Sequence, residues 1–130
     1  MAATIVIGDH VFYSPGDAAK HYIDLQHRIF ARKEMLTAKS LSHEDDGHTG
    51  ATFQTISAIY QRYLFLNGAR MPQPVGFYAR RDYEPAPAGQ PAPVVIRMAA
   101  YFSDNTEHVF DIGRAIMAVV HAEGTTRAAA

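Results

Sequence analysis

Cysteine and tryptophan are both missing from this chain of 130 residues. Without cysteine there are no disulfides, thiolate metal sites, iron–sulfur clusters or cysteine nucleophiles. An excess of charge is missing too. Lys and Arg number 12 against 13 Asp and Glu, for a formal net charge of -1. No overall field is available to hold a polyanion, so nucleic acid is not an expected partner. Long apolar runs are scarce. The run "AIMAVV" (115–120) falls far short of the roughly 20 residues a bilayer span needs. The opening "MAATIVIGDH" lacks the basic n-region of a signal peptide. These absences predict a soluble, cytoplasmic chain with no membrane partner.

Signature motifs are absent as well. There is no GxSxG elbow, no GxxxxGK[ST] and no GxGxxG, so neither an activated serine nor a phosphate cradle is expected. Ser14, Ser40, Ser42, Ser57 and Ser103 stand at a cap, in a loop or in a helical stripe. Without these signatures the reading leans away from an enzyme, and no cofactor is expected beyond a divalent metal at the loop described below.

Hydrophobic residues make up 48% of the chain and charged residues 19%. That balance suits one core, and a chain of this length buries roughly two-thirds of its unfolded surface. In "TIVIGDHVFYS", Gly8-Asp9 separates two β-prone runs and predicts a hairpin of Thr4 to Ile7 with His10 to Tyr13. "SPGD" follows, with Ser14 as N-cap, Pro15 at the first helical position and Asp17 near the positive end of the helix dipole. Ala18, Tyr22, Leu25, Ile29 and Leu36 then recur at helical spacing, which predicts an amphipathic helix over 15–38. Lys20, Arg28, Arg32, Lys33 and Lys39 are expected to form a solvated basic face, with Asp24 as a partner for Arg28 four residues on.

Phe53, Ile56, Tyr60 and Tyr63 predict a second helix over 51–67, closed by Asn67-Gly68. "VGFYARRDY" and "VVIRMAAYF" are rich in strand formers and flank the proline-rich "EPAPAGQPAP", so they predict an antiparallel pair with a stiff connection. In the last segment Asp104 and Glu107 have capping-box spacing. Val109, Ile112, Gly113, Ile116 and Val120 form a stripe ended by Gly124. The predicted order is ββ-αα-ββ-α, an α+β fold with helices packed on a small antiparallel sheet. Residues 1–124 are expected to form one domain and 125–130 a flexible tail.

Three features carry functional expectations. In 94–102 one face reads Val94, Ile96, Met98, Ala100 and Phe102, and the other reads Val95, Arg97, Ala99 and Tyr101. A sheet wetted on one side alternates apolar and polar residues more cleanly, so the second face is expected either to be covered by another part of this chain or to meet another chain, most simply a twin subunit. "YARRDY" together with Arg97 and Tyr101 predicts a partner- or ligand-binding surface of Tyr78, Arg80, Arg81, Tyr83, Arg97 and Tyr101. Arginine beside tyrosine suits bidentate anion contacts and stacking. The bland alternative is a sheet edge guarded by charge.

The third feature is "SHEDDGHTG" (42–50), in which His43, Asp45, Asp46 and His48 are candidate ligands for zinc or a similar divalent ion. A solvated loop between helices is the alternative, since the spacing matches no specific metal signature. His10, His21, His27, His108 and His121 are scattered over the predicted elements and read as surface or interface polar residues. The leading expectation is a small non-enzymatic protein-binding module, an inhibitor, adaptor or accessory protein of the kind mobile elements encode. It would occlude or bridge a protein partner as a homo-oligomer, most simply a homodimer. The rivals are a small-ligand or nucleotide binder on the arginine–tyrosine strand and a metal-dependent hydrolase-like enzyme at the histidine-acid loop.

Overall fold

The computed structural model describes residues 4–123; Gly124 and the predicted tail 125–130 lie outside them. Two antiparallel sheets and three helices follow in the order β1 (Ile5–Ile7), β2 (His10–Phe12), α1 (Pro15–Arg32), β3 (Met35–Leu36), α2 (Ala51–Leu66), β4 (Gly76–Tyr83), β5 (Val94–Tyr101), β6 (Glu107–Phe110) and α3 (Ile112–Glu123). The α+β class and the approximate order agree with expectation. The hairpin β1–β2 is a separate two-stranded sheet, and β3-β4-β5-β6 form a four-stranded one. Among the described residues no helix is long and apolar enough to cross a membrane.

Ser14 caps α1 as expected, its Oγ accepting from the Asp17 amide at 3.0 Å. The helix stops at Arg32, six residues short of the expected end, because Lys33 adopts the left-handed conformation at φ 55. The Glu34 amide then donates to Ile29 O at 3.1 Å and the Lys33 amide to Phe30 O at 3.2 Å. That pattern closes a helix whether or not a glycine is present. Leu36, assigned from sequence to the α1 stripe, instead lies in β3 opposite Phe77. The ion-pairing expectation also fails: Asp24 pairs with Lys20, and Arg28 pairs with Glu44.

Asp104 and Glu107 do not cap a helix. Asn105 turns through φ 68, Asp104 accepts from the Thr106 amide at 3.0 Å, and 107–110 returns as β6 beside β5. Asp111 is the residue that caps α3, accepting from the Arg114 amide at 3.1 Å.

The register divides the large sheet into two faces, because cross-strand partners share a side. Phe77 and Ala100 are opposite, as are Ala79 and Met98, with Phe110 beside Met98. This face meets the helices: Tyr60 of α2 packs its ring 5.8 Å from Phe77 and 4.9 Å from Phe110. Gly113 lets α3 approach α1, since a Cβ there would stand 2.8 Å from Ile23 Cδ1. The helix-facing residues Leu36, Phe77, Met98, Ala100 and Phe110 belong to the common core, and none of Tyr78, Val95, Ala99, Tyr101 and Val109 does.

Candidate functional site

The outer face of the sheet is built by alternate residues of its strands. Tyr78 lies opposite Ala99 and Arg80 opposite Arg97 on β4 and β5, while Tyr101 lies opposite Glu107 and Ala99 opposite Val109. Tyr78, Val95, Tyr101 and Val109 are half-buried and Ala99 is buried. Two arginines directly across from one another repel, and each is answered by its own carboxylate. Arg80 Nη1 donates to Glu107 Oε2 at 2.8 Å, and the Tyr78 hydroxyl donates to Glu107 Oε1 at 2.5 Å. Those hydrogen bonds, from Tyr78 first and then Arg80, hold the Glu107 carboxyl below the usual carboxylate range. Arg97 reaches Glu84 at 2.6 Å and Asp111 at 3.7 Å. The Tyr101 hydroxyl hydrogen-bonds Asn105 in the turn that follows β5.

The six residues of the arginine–tyrosine strand surface divide between two faces, as the alternation of a strand requires, with Tyr78 and Arg80 on one and Arg81 and Tyr83 on the other. Tyr78, Arg80, Arg97 and Tyr101 share the outer face. Arg81 and Tyr83 are on the side of the helices, where the Arg81 guanidinium lies 5.2 Å from the Phe30 ring centroid and Tyr83 is 65% exposed at the strand end. The outer arginines do not converge on a shared point for an anion. Each is spent on the chain's own acids, and the Arg80–Arg97 pair crosses the face between Val95, opposite Asp82, and the cluster of Tyr78, Ala99 and Tyr101.

The histidine-acid loop makes a second site. A 3-10 turn over His43–Asp45 is closed by a reciprocal cap in which Ser42 and Asp45 exchange hydrogen bonds. Asp45 is buried and accepts from the Ser42 amide at 2.7 Å and from the Thr52 amide, in the first turn of α2, at 2.9 Å. Burial pushes its carboxyl up, and these hydrogen bonds together outweigh it, so the group sits below its ordinary value. Glu44 accepts from Arg28 Nε at 2.7 Å and Nη2 at 3.1 Å, with Arg32 at 3.3 Å. His43 Nδ1 lies 3.4 Å from Glu34. The loop's acids thus fasten it to α1 and α2. Among the described residues no three His, Asp or Glu side chains come together as a metal ion would require.

The loop does face a cleft of about 440 Å³, into which the hairpin and α1 also bring His10 and His21 beside His43 and His48. The His10 and His21 rings are 4.6 Å apart between centroids. Burial first, then His10 and Arg28, lower the basicity of His21 against the pull of Glu44 and Asp24. Sequence reasoning treated these two histidines as unrelated surface residues. The available signal was the two-residue turn at Gly8-Asp9, which returns His10 alongside the helix that starts at Pro15. Comparison with known proteins finds no match: no family model fits the chain, and no curated protein or solved structure is detectably similar to it.

Proposed function

We propose that this protein is a small non-enzymatic binding module whose working surface is the outer face of the four-stranded sheet. In this reading the face is closed by a second copy of the chain, and the homodimer occludes or bridges a protein partner. The observation that carries it is the one-sided placement of the helices. The core is built on the inner face, while Tyr78, Val95, Ala99, Tyr101 and Val109 line the other. Tyrosine and arginine are the side chains that interfaces favour, and on this face Tyr78 and Tyr101 stand beside the Arg80–Arg97 pair. The face carries both signs, Arg80 and Arg97 with Glu84 and Glu107, so a two-fold related copy can meet it without a net like-charge clash.

Position-specific crosslinking tests the surface. A benzophenone side chain placed at Val95, on the face, should give crosslinked dimers on irradiation. The same group at His27, exposed on α1, should give none. Equal yields from both positions, or none from Val95, would remove the face from the account.

A further inference from the structure

Among the described residues, no hydrogen bond ties residues 4–13 to the rest of the chain. β1 and β2 pair only with each other, and a lone two-stranded hairpin is marginal in water. Packing alone holds it. Ile5 and Phe12 enter the core. At the tip, Gly8 passes so close to α2 that a Cβ would stand 2.9 Å from Thr55 Oγ1. On its flank the His10 ring rests against His21 of α1, with Phe12 also 5.2 Å from His21. Asp9 and His10 form one wall of the histidine-lined cleft.

We propose that this hairpin is a proton-operated flap: with His10 and His21 neutral it lies on α1 and walls one side of the cleft, and when both imidazoles are protonated it lifts. Two imidazolium rings in contact repel, and the contact also strips water from the ring on α1. The groups facing the pair do little to relieve this. On α1, Arg28 adds positive charge, and Asp24 is engaged by Lys20. From the loop, Glu44 is held by Arg28 and Arg32, Asp45 is committed to two amides, and His43 and His48 bring further protonatable rings. Asp9 on the hairpin and Asp46 on the loop are exposed carboxylates whose charge is spread into water; His10 is exposed too, and its charge acts on His21 through the direct contact of the rings. Proton uptake by His21 is disfavoured in the closed form, by burial first and then by His10 and Arg28, and lifting the hairpin removes the part due to His10. Acidification through the usual imidazole range, near about 6.5, therefore shifts the population toward the open form.

Hydrogen exchange read by mass spectrometry, with rates normalised for the intrinsic effect of pH, tests this on the full chain. Between about pH 7.5 and about pH 5.5 the protection of hairpin amides should fall about tenfold or more, while α2 (Ala51–Leu66) keeps its protection. In His10→Phe, which preserves the ring contact without the charge, the hairpin should stay protected at both pH values. His21→Phe should behave alike, and the His10 variant decides alone if the more buried site does not tolerate the change. Unchanged hairpin protection in the wild type, or the same loss in His10→Phe, would overturn the proposal.

Discussion

Asp45 holds the amides of Ser42 and Thr52 at 2.7 and 2.9 Å from the middle of an acidic loop. A carboxylate that can accept two amide hydrogen bonds can also bind a metal, and the same lone pairs serve both. The letters His-Glu-Asp-Asp-Gly-His cannot distinguish the two uses. What decides is which partners the fold brings within reach, here the first turn of α2. Because the folded carboxyl lies below its ordinary value, the bond stabilises the protein above the unfolded value of about 3.9 and is lost as pH falls through the folded one. Asp45→Asn should cost about 1–2 kcal/mol at neutral pH and weaken the dependence of stability on acid. Urea titrations across the acid range read both effects. Equal stability of the two proteins at neutral pH would show that the cap contributes nothing. His10 and His21 teach the same lesson at residue scale: their rings meet only because a hairpin docks on a helix.

At the scale of elements, the starts were easier to read than the ends. Ser14-Pro15 marked the first turn of α1, and Gly8-Asp9 marked the hairpin, because those residues restrict the backbone by themselves. The sequence hides the end of α1 because Lys33, not a glycine, takes the left-handed position at φ 55, and the helical spacing of Leu36 carries the apolar stripe onward. β6 was read as helix because "EHVF" is too short to show its period, while Asp104 mimics a cap that it instead gives to the turn at Thr106. Lys33 bears a backbone cost that glycine would not. Lys33→Gly should therefore stabilise the protein by about 1 kcal/mol, seen as a higher denaturant midpoint with an unchanged slope. A lower midpoint would mean that the lysine side chain is worth more than the strain.

For the molecule as a whole, the two-faced character of residues 94–102 was legible from alternation, and the fold gives it a place. Met98 and Ala100 face the helices and join the core, while Val95 and Tyr101 stand half-buried on the opposite side with the buried Ala99 between them. The joining of Tyr78 and Arg80 to Glu107 was not legible, because β6 was not expected as a strand. That pairing neutralises the arginines expected to bind a ligand, and the central claim is that a second copy covers this face. Sedimentation equilibrium at micromolar concentration tests that claim most directly. The wild type should sediment as a dimer. Tyr101→Glu, which sets a carboxylate against apolar surface at a cost of several kcal/mol, should sediment as a monomer with an unchanged circular dichroism spectrum. A wild-type chain that remains monomeric under those conditions would contradict the account.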